Sequence, residues 1–448
     1  MSDYIRLKNP LKGFIQTDAE VITARFEGFH IVSGQLETPS QLICPACGSE
    51  DCIRNGSSTL WILDIPYGDK GVAINLCRQR FLCHRCGFSF RQDIPFKNPD
   101  HMITNALNLY IYGLLERGHT LKETSILSHV DANIVKAIDK ARLLALYTDG
   151  RGHLLKPEKQ AKHIAVDEFK IHCGHIYATI VIDLSDGSVI YLAHGKKKQA
   201  LEDFLALVGD EWMNAVEAVA CDMNSNYELV FLERYPKISI VYDMFHICKN
   251  FSDMVISEVR KDLQGKLKAS GRTADAASLK RSKYLLCSSL KTLEKKDCQA
   301  KAGMVVVEES TIFRRDEVKR QGGHVERYRK LIEENEILAS CDMMKEFLMD
   351  FRSLVSEEEA RTKLESMISF CRGTGDPHFN KFANLLERHS EGIVSHAKFH
   401  ISSGMIEGIN NKSKMIMRKA FGFRDDDYFF LKIIDSSRKR TKQSPTEI

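Results

Sequence analysis

The chain has 448 residues, of which 43% are hydrophobic and 28% charged, with a formal net charge of +4 at pH 7. This composition suits about two to four globular domains and is neither disordered nor membrane-like. No stretch approaches the roughly 18 uninterrupted apolar residues of a membrane span. The first residues, Met1-Ser-Asp-Tyr-Ile-Arg-Leu-Lys8, are mixed in charge and lack the apolar core of a signal peptide, so a cytoplasmic protein is expected. The 13 cysteines lie mostly singly in apolar runs, as reduced thiols do. A net charge this small does not identify a nucleic-acid binder, but its distribution is uneven. Four arginines and no acid lie between Cys77 and Arg91, and five basic residues and no acid between Lys412 and Arg424.

Residues 1–40 form an N-terminal segment without readable chemistry. Residues 41–97 carry Cys44-Pro-Ala-Cys47 and, 35 residues on, Cys83-His-Arg-Cys86. Each pair has the gap of a metal knuckle, and two knuckles complete a four-thiolate, structural Zn²⁺ site with no open position for substrate. Gly48 and Gly87 follow the second cysteine of each pair, where a knuckle favours positive φ. Between the pairs, Leu60–Ile65 and Val72–Cys77 read as strands joined by a turn, which makes the segment a zinc ribbon.

Residues 98–150 turn helical in period. Ile103, Leu107, Tyr110, Leu114 and Leu115 share one face, and a second short helix runs from Leu121 to Ser128. After a tight turn, Asp131 is the expected N-cap of a helix through Leu146. This outline is that of a helix-turn-helix, although any three-helix bundle shares it. Residues 1–150 hold 16 Lys+Arg against 16 Asp+Glu, so a purely electrostatic grip on DNA is not indicated there.

Beyond the Gly150–Pro157 linker, residues 160–250 read as three strands, His163–Lys170, His175–Asp183 and Ser188–Gly195. A helix, a strand at Val216–Asp222, a second helix and a strand at Ile238–Tyr242 follow. That order is the first part of an RNase H-like α/β core, with the first strand central and the fourth beside it. Asp167 and Asp222 then meet on adjacent strands. Glu168 points to the opposite sheet face by strand alternation, and Asp243 is a further acid nearby. His246 follows closely and is an accessory or merely packing histidine. Residues 251–400, charged and helical in period, read as an all-helical insertion. Residues 401–436 return to the core. A helix from about Gly404 to Ala420 gathers Glu407, Asn410, Asn411, Lys414 and Arg418 on one face, a carboxylate, amides and cations suited to metal and phosphate. Residues 437–448 are a basic tail. Carboxylates converging from distant sequence are what divalent cations need for phosphoryl chemistry.

The ribbon, the helix-turn-helix, Val166-Asp-Glu-Phe169, Asp243-Met-Phe-His246 and Glu407-Gly-Ile-Asn-Asn-Lys-Ser-Lys-Met-Ile-Met-Arg-Lys-Ala-Phe-Gly-Phe423 together resemble bacterial transposases of the ISL-three insertion-sequence family. The resemblance runs from about Cys44 to Ile434. It implies a multidomain protein whose RNase H-like core is split by an insertion. It also implies a catalytic DDE triad at Asp167, Asp222 and Glu407 that holds Mg²⁺ or Mn²⁺. The implied partners are double-stranded DNA, as terminal inverted repeats and target, and further copies of the chain in a homodimer or larger synaptic complex. The place of action is the bacterial nucleoid. Lys412, Lys414, Arg418, Lys419 and Arg424 are the expected DNA-binding residues, with Asn410 and Asn411 as accessories. The chain departs from the family where Tyr-Arg-Asn is usual after the glycine, reading Phe423-Arg-Asp-Asp-Asp427. Two other readings fit the same residues: an inert, transposase-derived DNA-binding regulator, and a nuclease of similar fold that cuts without joining.

Overall fold

The computed structural model describes residues 11–17, 23–172, 174–195, 198–223, 227–303, 305–310, 315–319, 322–401, 404–420 and 422–438. Two compact units emerge: the chain up to Leu155 with Met415–Lys432, and Lys156–Lys414 with the chain from Ile433 on. Among the described residues no helix is long and apolar enough to cross a membrane.

The first unit begins with β1 (Phe14–Thr17) and β2 (His30–Leu36), then the long hairpin of β3 (Cys52–Tyr67) and β4 (Lys70–Cys83), closed by the short β5 (Ser89–Arg91). Gly68, at φ 66°, makes the hairpin turn that a side chain would strain. Both hairpin strands outrun the apolar segments Leu60–Ile65 and Val72–Cys77. The ladder continues through the polar residues Ser57, Ser58, Arg78 and Gln79 toward the cysteines. The strand order is β1-β2-β4-β3, with β5 on β4. The N-terminal segment is therefore part of the ribbon sheet, and β2 pairs in parallel with β4 from His30–Val72 to Gln35–Cys77. Leu36, Ile62, Ile74, Leu76 and Phe96 form the core on one side.

Three helices follow: α1 (Asn105–Glu116), α2 (Leu121–Ser128) and α3 (Ala132–Tyr147). Each start is set by a side chain that accepts an otherwise orphaned N–H. Thr104 accepts from Leu107, Thr120 and Glu123 form a reciprocal capping box, and Asp131 accepts from Asn133. His129, at φ 54°, ends α2 in the left-handed region. Ile103, Leu107, Ile111, Leu115, Val130, Val135 and Ile138 pack between the helices.

The second unit is built on a five-stranded sheet. β6 (His163–Lys170), β7 (Tyr177–Asp183) and β8 (Val189–His194) form an antiparallel meander, while β9 (Ala218–Cys221) and β10 (Ser239–Tyr242) run parallel to β6. The order across the sheet is β10-β9-β6-β7-β8. Between strands lie α4 (Lys198–Met213), interrupted at Gly209, and α5 (Tyr227–Arg234). The strands bury nearly every residue, as a sheet covered on both faces requires.

Beyond β10 the chain is mostly helical. It runs through α6 (Met244–Phe251), a π-turn at Ser252–Ile256, α7 (Ser257–Ala269), α8 (Thr273–Ser278), α9 (Lys283–Cys287) and α10 (Leu290–Lys301). After an interruption come α11 (His324–Glu333), α12 (Glu336–Phe351), α13 (Glu357–Gly373), α14 (Pro377–Arg388) and α15 (Ser390–Phe399). The interruption corrects the expectation of an all-helical insertion. β11 (Val305–Ser310) and β12 (Arg315–Lys319) pair antiparallel within it. The cause is local: Gly303, at φ 69°, ends the helix, and the β-branched run Val305-Val-Val307 favours extended backbone. Two last helices complete the chain, α16 (Gly404–Lys419) and α17 (Asp426–Ser437). The expected basic tail lies outside the described residues from 439 on.

Candidate metal and catalytic centres

The two cysteine knuckles fold alike because their sequences pose the same local problem. In the first, the Gly48 N–H donates to the Cys44 carbonyl at 2.9 Å and the Cys44 N–H to the Ser49 carbonyl at 2.9 Å. In the second, Gly87 donates to Cys83 at 2.9 Å and Cys83 to Phe88 at 3.0 Å. Both glycines take positive φ, 70° and 69°. The Sγ atoms of Cys44, Cys47, Cys83 and Cys86 all lie within 4.8 Å of one another, and the Cys44–Cys86 and Cys47–Cys83 pairs are 3.6 Å apart. A tetrahedral ion with Zn–S bonds of about 2.3 Å sets sulfurs at about that spacing. The donor set fits structural Zn²⁺.

In the second unit, the β6–β9 register runs His163–Ala218, Ile164–Val219, Ala165–Ala220. Carried on by two residues, it sets Asp167 level with Asp222, which directly follows β9. Burial pushes the Asp167 carboxyl above its ordinary range; the Glu168 N–H, the Asn410 amide and His246 oppose this, and the Asp222 charge adds to it. Oδ1 of Asp167 accepts the Glu168 N–H at 2.7 Å, and Oδ2 accepts Nδ2 of Asn410 at 2.7 Å. Nδ1 of His246 stands 3.7 Å from Oδ1 of Asp222, so this half-buried histidine lies beside both aspartates.

The two neighbouring acids are otherwise engaged. Carried on by one residue, the β9–β10 register sets Asp243 level with Asp222, but the Asp243 Oδ1 caps α6 by accepting the Phe245 N–H at 2.8 Å. Glu168 pairs in register with Thr179, on the sheet face where the Thr179 and Tyr227 hydroxyls meet at 2.8 Å, opposite to Asp167.

Glu407 lies in the first turn of α16, exposed, one turn before Asn410. Its carboxylate does not share the tight spacing of the thiolates. Among the described residues, the four cysteines alone form a group of three or more metal ligands that close together. The helix buries Ile406, Asn410 and Ser413, so Asn410 belongs to its buried stripe, while Glu407, Asn411, Lys414 and Arg418 are exposed. The five expected DNA-binding residues do not share one face. By helical spacing Lys412 and Lys419 lie on the flank away from Lys414 and Arg418. The Lys412 ammonium donates to the Ser436 carbonyl, and Lys419 acts on Glu123 of α2. Arg424 is exposed after the helix. The acidic departure after Gly422 has a packing role. Asp425 accepts from Lys140 at 2.9 Å, lies 3.5 Å from Lys136, and caps α17 at the Tyr428 N–H.

Sequence reasoning missed the direct bond from Asn410 to Asp167. Its signal was present, since an amide one turn from Glu407 has the reach to steady a facing carboxylate. The family model for ISL3 transposases matches residues 164–433, more than half of the chain. The chain belongs to the ISL3 transposase family. In this transposase, residues 40–86 match a model described as the zinc-finger of transposases IS204, IS1001, IS1096 and IS1165, the segment that carries the four thiolates. It is 26% identical over 397 residues to the transposase for insertion sequence element IS1001 of Bordetella parapertussis, covering 88% of this chain and 89% of that one. It is also 24% identical over 282 residues to the transposase for element IS1557 of Mycobacterium tuberculosis, covering 59% and 57%.

Proposed function

We propose that this transposase has an RNase H-like core and cuts and joins DNA at the ends of its own insertion sequence, through a DDE triad of Asp167, Asp222 and Glu407. The observation that carries this reading is the parallel β6–β9 pairing, which, carried on by two residues, sets Asp167 level with Asp222 just past the end of β9, beside a helix that bonds Asp167 through Asn410 and bears Glu407 one turn away. The strand order, an antiparallel meander with two further strands parallel to its first, supports the RNase H-like assignment.

The donor set is hard oxygen, which suits Mg²⁺ or Mn²⁺. When bound, such ions activate the attacking hydroxyl and stabilise the leaving oxygen of a phosphodiester. The chain's own residues do the positioning. Asn410 and the Glu168 N–H fix the two oxygens of Asp167, His246 stands against Asp222, and Lys414 and Arg418 lie on the Glu407 flank, where they would hold scissile-strand phosphates. The ribbon and the three-helix segment, read as a helix-turn-helix, would bring duplex DNA, and the active form would be a homodimer or larger synaptic assembly.

The test uses purified, zinc-loaded protein with a labelled duplex that carries the DNA flanking its own gene, in Mg²⁺ or Mn²⁺, beside Asp222→Asn and Glu407→Gln. Metal-dependent nicking and joining at the element ends, lost in both variants, is the expected result. Cleavage undiminished in both would overturn the triad; cutting without joining would make the chain a nuclease, and binding without cutting a regulator.

A further inference from the structure

Arg78, Arg80 and Arg91 belong to the ribbon sheet but take no part in the thiolate site. Arg80 stands directly opposite Arg91 in the antiparallel β4–β5 pair. Arg78, two positions earlier on β4, faces the same side, opposite Ser58 of β3. Ser89, paired with Leu82, completes that face. Arg80 and Arg91 are exposed and Arg78 half-buried.

Like charges directly opposite on a ladder are destabilising, and a face that served only solubility would intersperse both signs. Here no acid occurs between Cys77 and Arg91. Among the described residues none of the three is held in an ion pair, although the β4–β5 register, carried on by two residues, sets Asp93 opposite Arg78, where its charge favours the guanidinium. Burial and the neighbouring Arg91 both disfavour the Arg78 charge. Nε of Arg78 is buried without a hydrogen-bond partner, while Nε of Arg80 donates to the Asn55 carbonyl at 2.8 Å, which steers its guanidinium across the sheet. The exposed guanidinium forks of Arg80 and Arg91, outside any ion pair, with the half-buried Arg78 and two serines on the same face, fit an array of phosphates.

The geometry points to the Arg78–Arg80–Arg91 face of the ribbon as a seat for the phosphate backbone of duplex DNA, gripping it irrespective of base sequence. This rests on the transposase reading, which supplies the DNA. It also reconciles a near-neutral N-terminal third with DNA contact, because the charge is concentrated on one face rather than spread.

The test measures binding of the full-length, zinc-loaded protein to a duplex of unrelated sequence and to its element end, over a NaCl series without divalent cation. The variants are the Arg78→Gln/Arg80→Gln/Arg91→Gln triple, the corresponding triple lysine variant, and Arg80→Gln alone. Each phosphate contact contributes about 0.9 to the slope of log K against log salt. The glutamine triple should therefore flatten the slope by about 2 to 3 on both duplexes, and Arg80→Gln by about 0.9. The lysine triple should keep the slope. An unchanged slope in the glutamine triple overturns the proposal. Should that triple lose zinc or fail to fold, an unchanged slope in the exposed single Arg80→Gln does so. If the wild type cuts its element ends while its slope ignores the arginines, this proposal falls and the transposase reading stands. If it binds no duplex at all, both fall.

Discussion

The Asn410 side chain donates to Oδ2 of Asp167 at 2.7 Å across 243 residues of sequence. That bond sets the start of α16 against β6, and with it the turn that bears Glu407. It also faces the Asp167 oxygens in one direction, although burial disfavours their charge. An amide that fixes a ligating carboxylate is worth about 10- to 100-fold in metal affinity or activity. Asn410→Ala should thus raise the Mn²⁺ concentration needed for half-maximal cleavage by about that factor and leave duplex binding intact. Cleavage titrated with Mn²⁺ reads this directly, and an unchanged midpoint would make the bond merely structural.

Gly392 of α15 sits against the buried ring of Tyr242. A Cβ there would press into the ring, while the Tyr242 hydroxyl is held by Glu228 and His389. Two effects compete in Gly392→Ala. Helix propensity favours alanine by about 1 kcal/mol, but overpacking a filled site costs typically about 1–3 kcal/mol. The ring is buried and its hydroxyl is held by two partners, so overpacking should win. We expect a net loss of up to about 2 kcal/mol in urea unfolding. A stabilised variant would mean that Tyr242 moves freely.

What the sequence discloses depends on the range of the interaction that decides each element. The knuckles and the Asp131 cap are settled within a few residues, and they stand where spacing places them. The β6 strand was likewise legible at its observed bounds, because an apolar run of that length has few alternatives. The parallel pairing of β2 with β4 was not, since nothing near His30 announces a partner 42 residues on. The β11–β12 pair was hidden by the charged helices around it. The burial of Asn410 depends on the partner across the helix, which periodicity alone does not name.

Zinc closes the open end of the β3–β4 hairpin, where Cys52 stands opposite Cys83 in the ladder. Structural zinc binds zinc-finger peptides with about 10–16 kcal/mol of apparent free energy, which there is folding free energy. Chelation, or Cys83→Ser, should therefore release the metal, remove an early-melting fraction of the far-UV signal and abolish tight duplex binding. Metal analysis and circular dichroism on the same sample check this. Full ordering of the ribbon after complete zinc removal would show that the sheet core around Ile62 and Ile74 suffices without it.

Asp139 of α3, completely buried, accepts Tyr428 Oη at 2.6 Å and the Lys432 ammonium at 2.8 Å from α17, and Arg142 at 2.8 Å from its own helix. Burial pushes its carboxyl up, but Lys432, Tyr428 and Arg142 together hold it below the usual carboxylate range. Asp139→Asn keeps the shape and removes the charge, leaving Arg142 and Lys432 without their shared partner. Breaking a buried pair in this way costs about 3–5 kcal/mol. The pH dependence follows from the direction of the shift. A carboxyl with a folded pKa below its unfolded value of about 3.9 contributes fully above that value, and loses its contribution as pH falls through the folded one. Urea unfolding of wild type and variant should differ most at neutral pH and converge at pH values below about 4. A gap that stays constant into acid would mean that the variant acts through packing and not through charge.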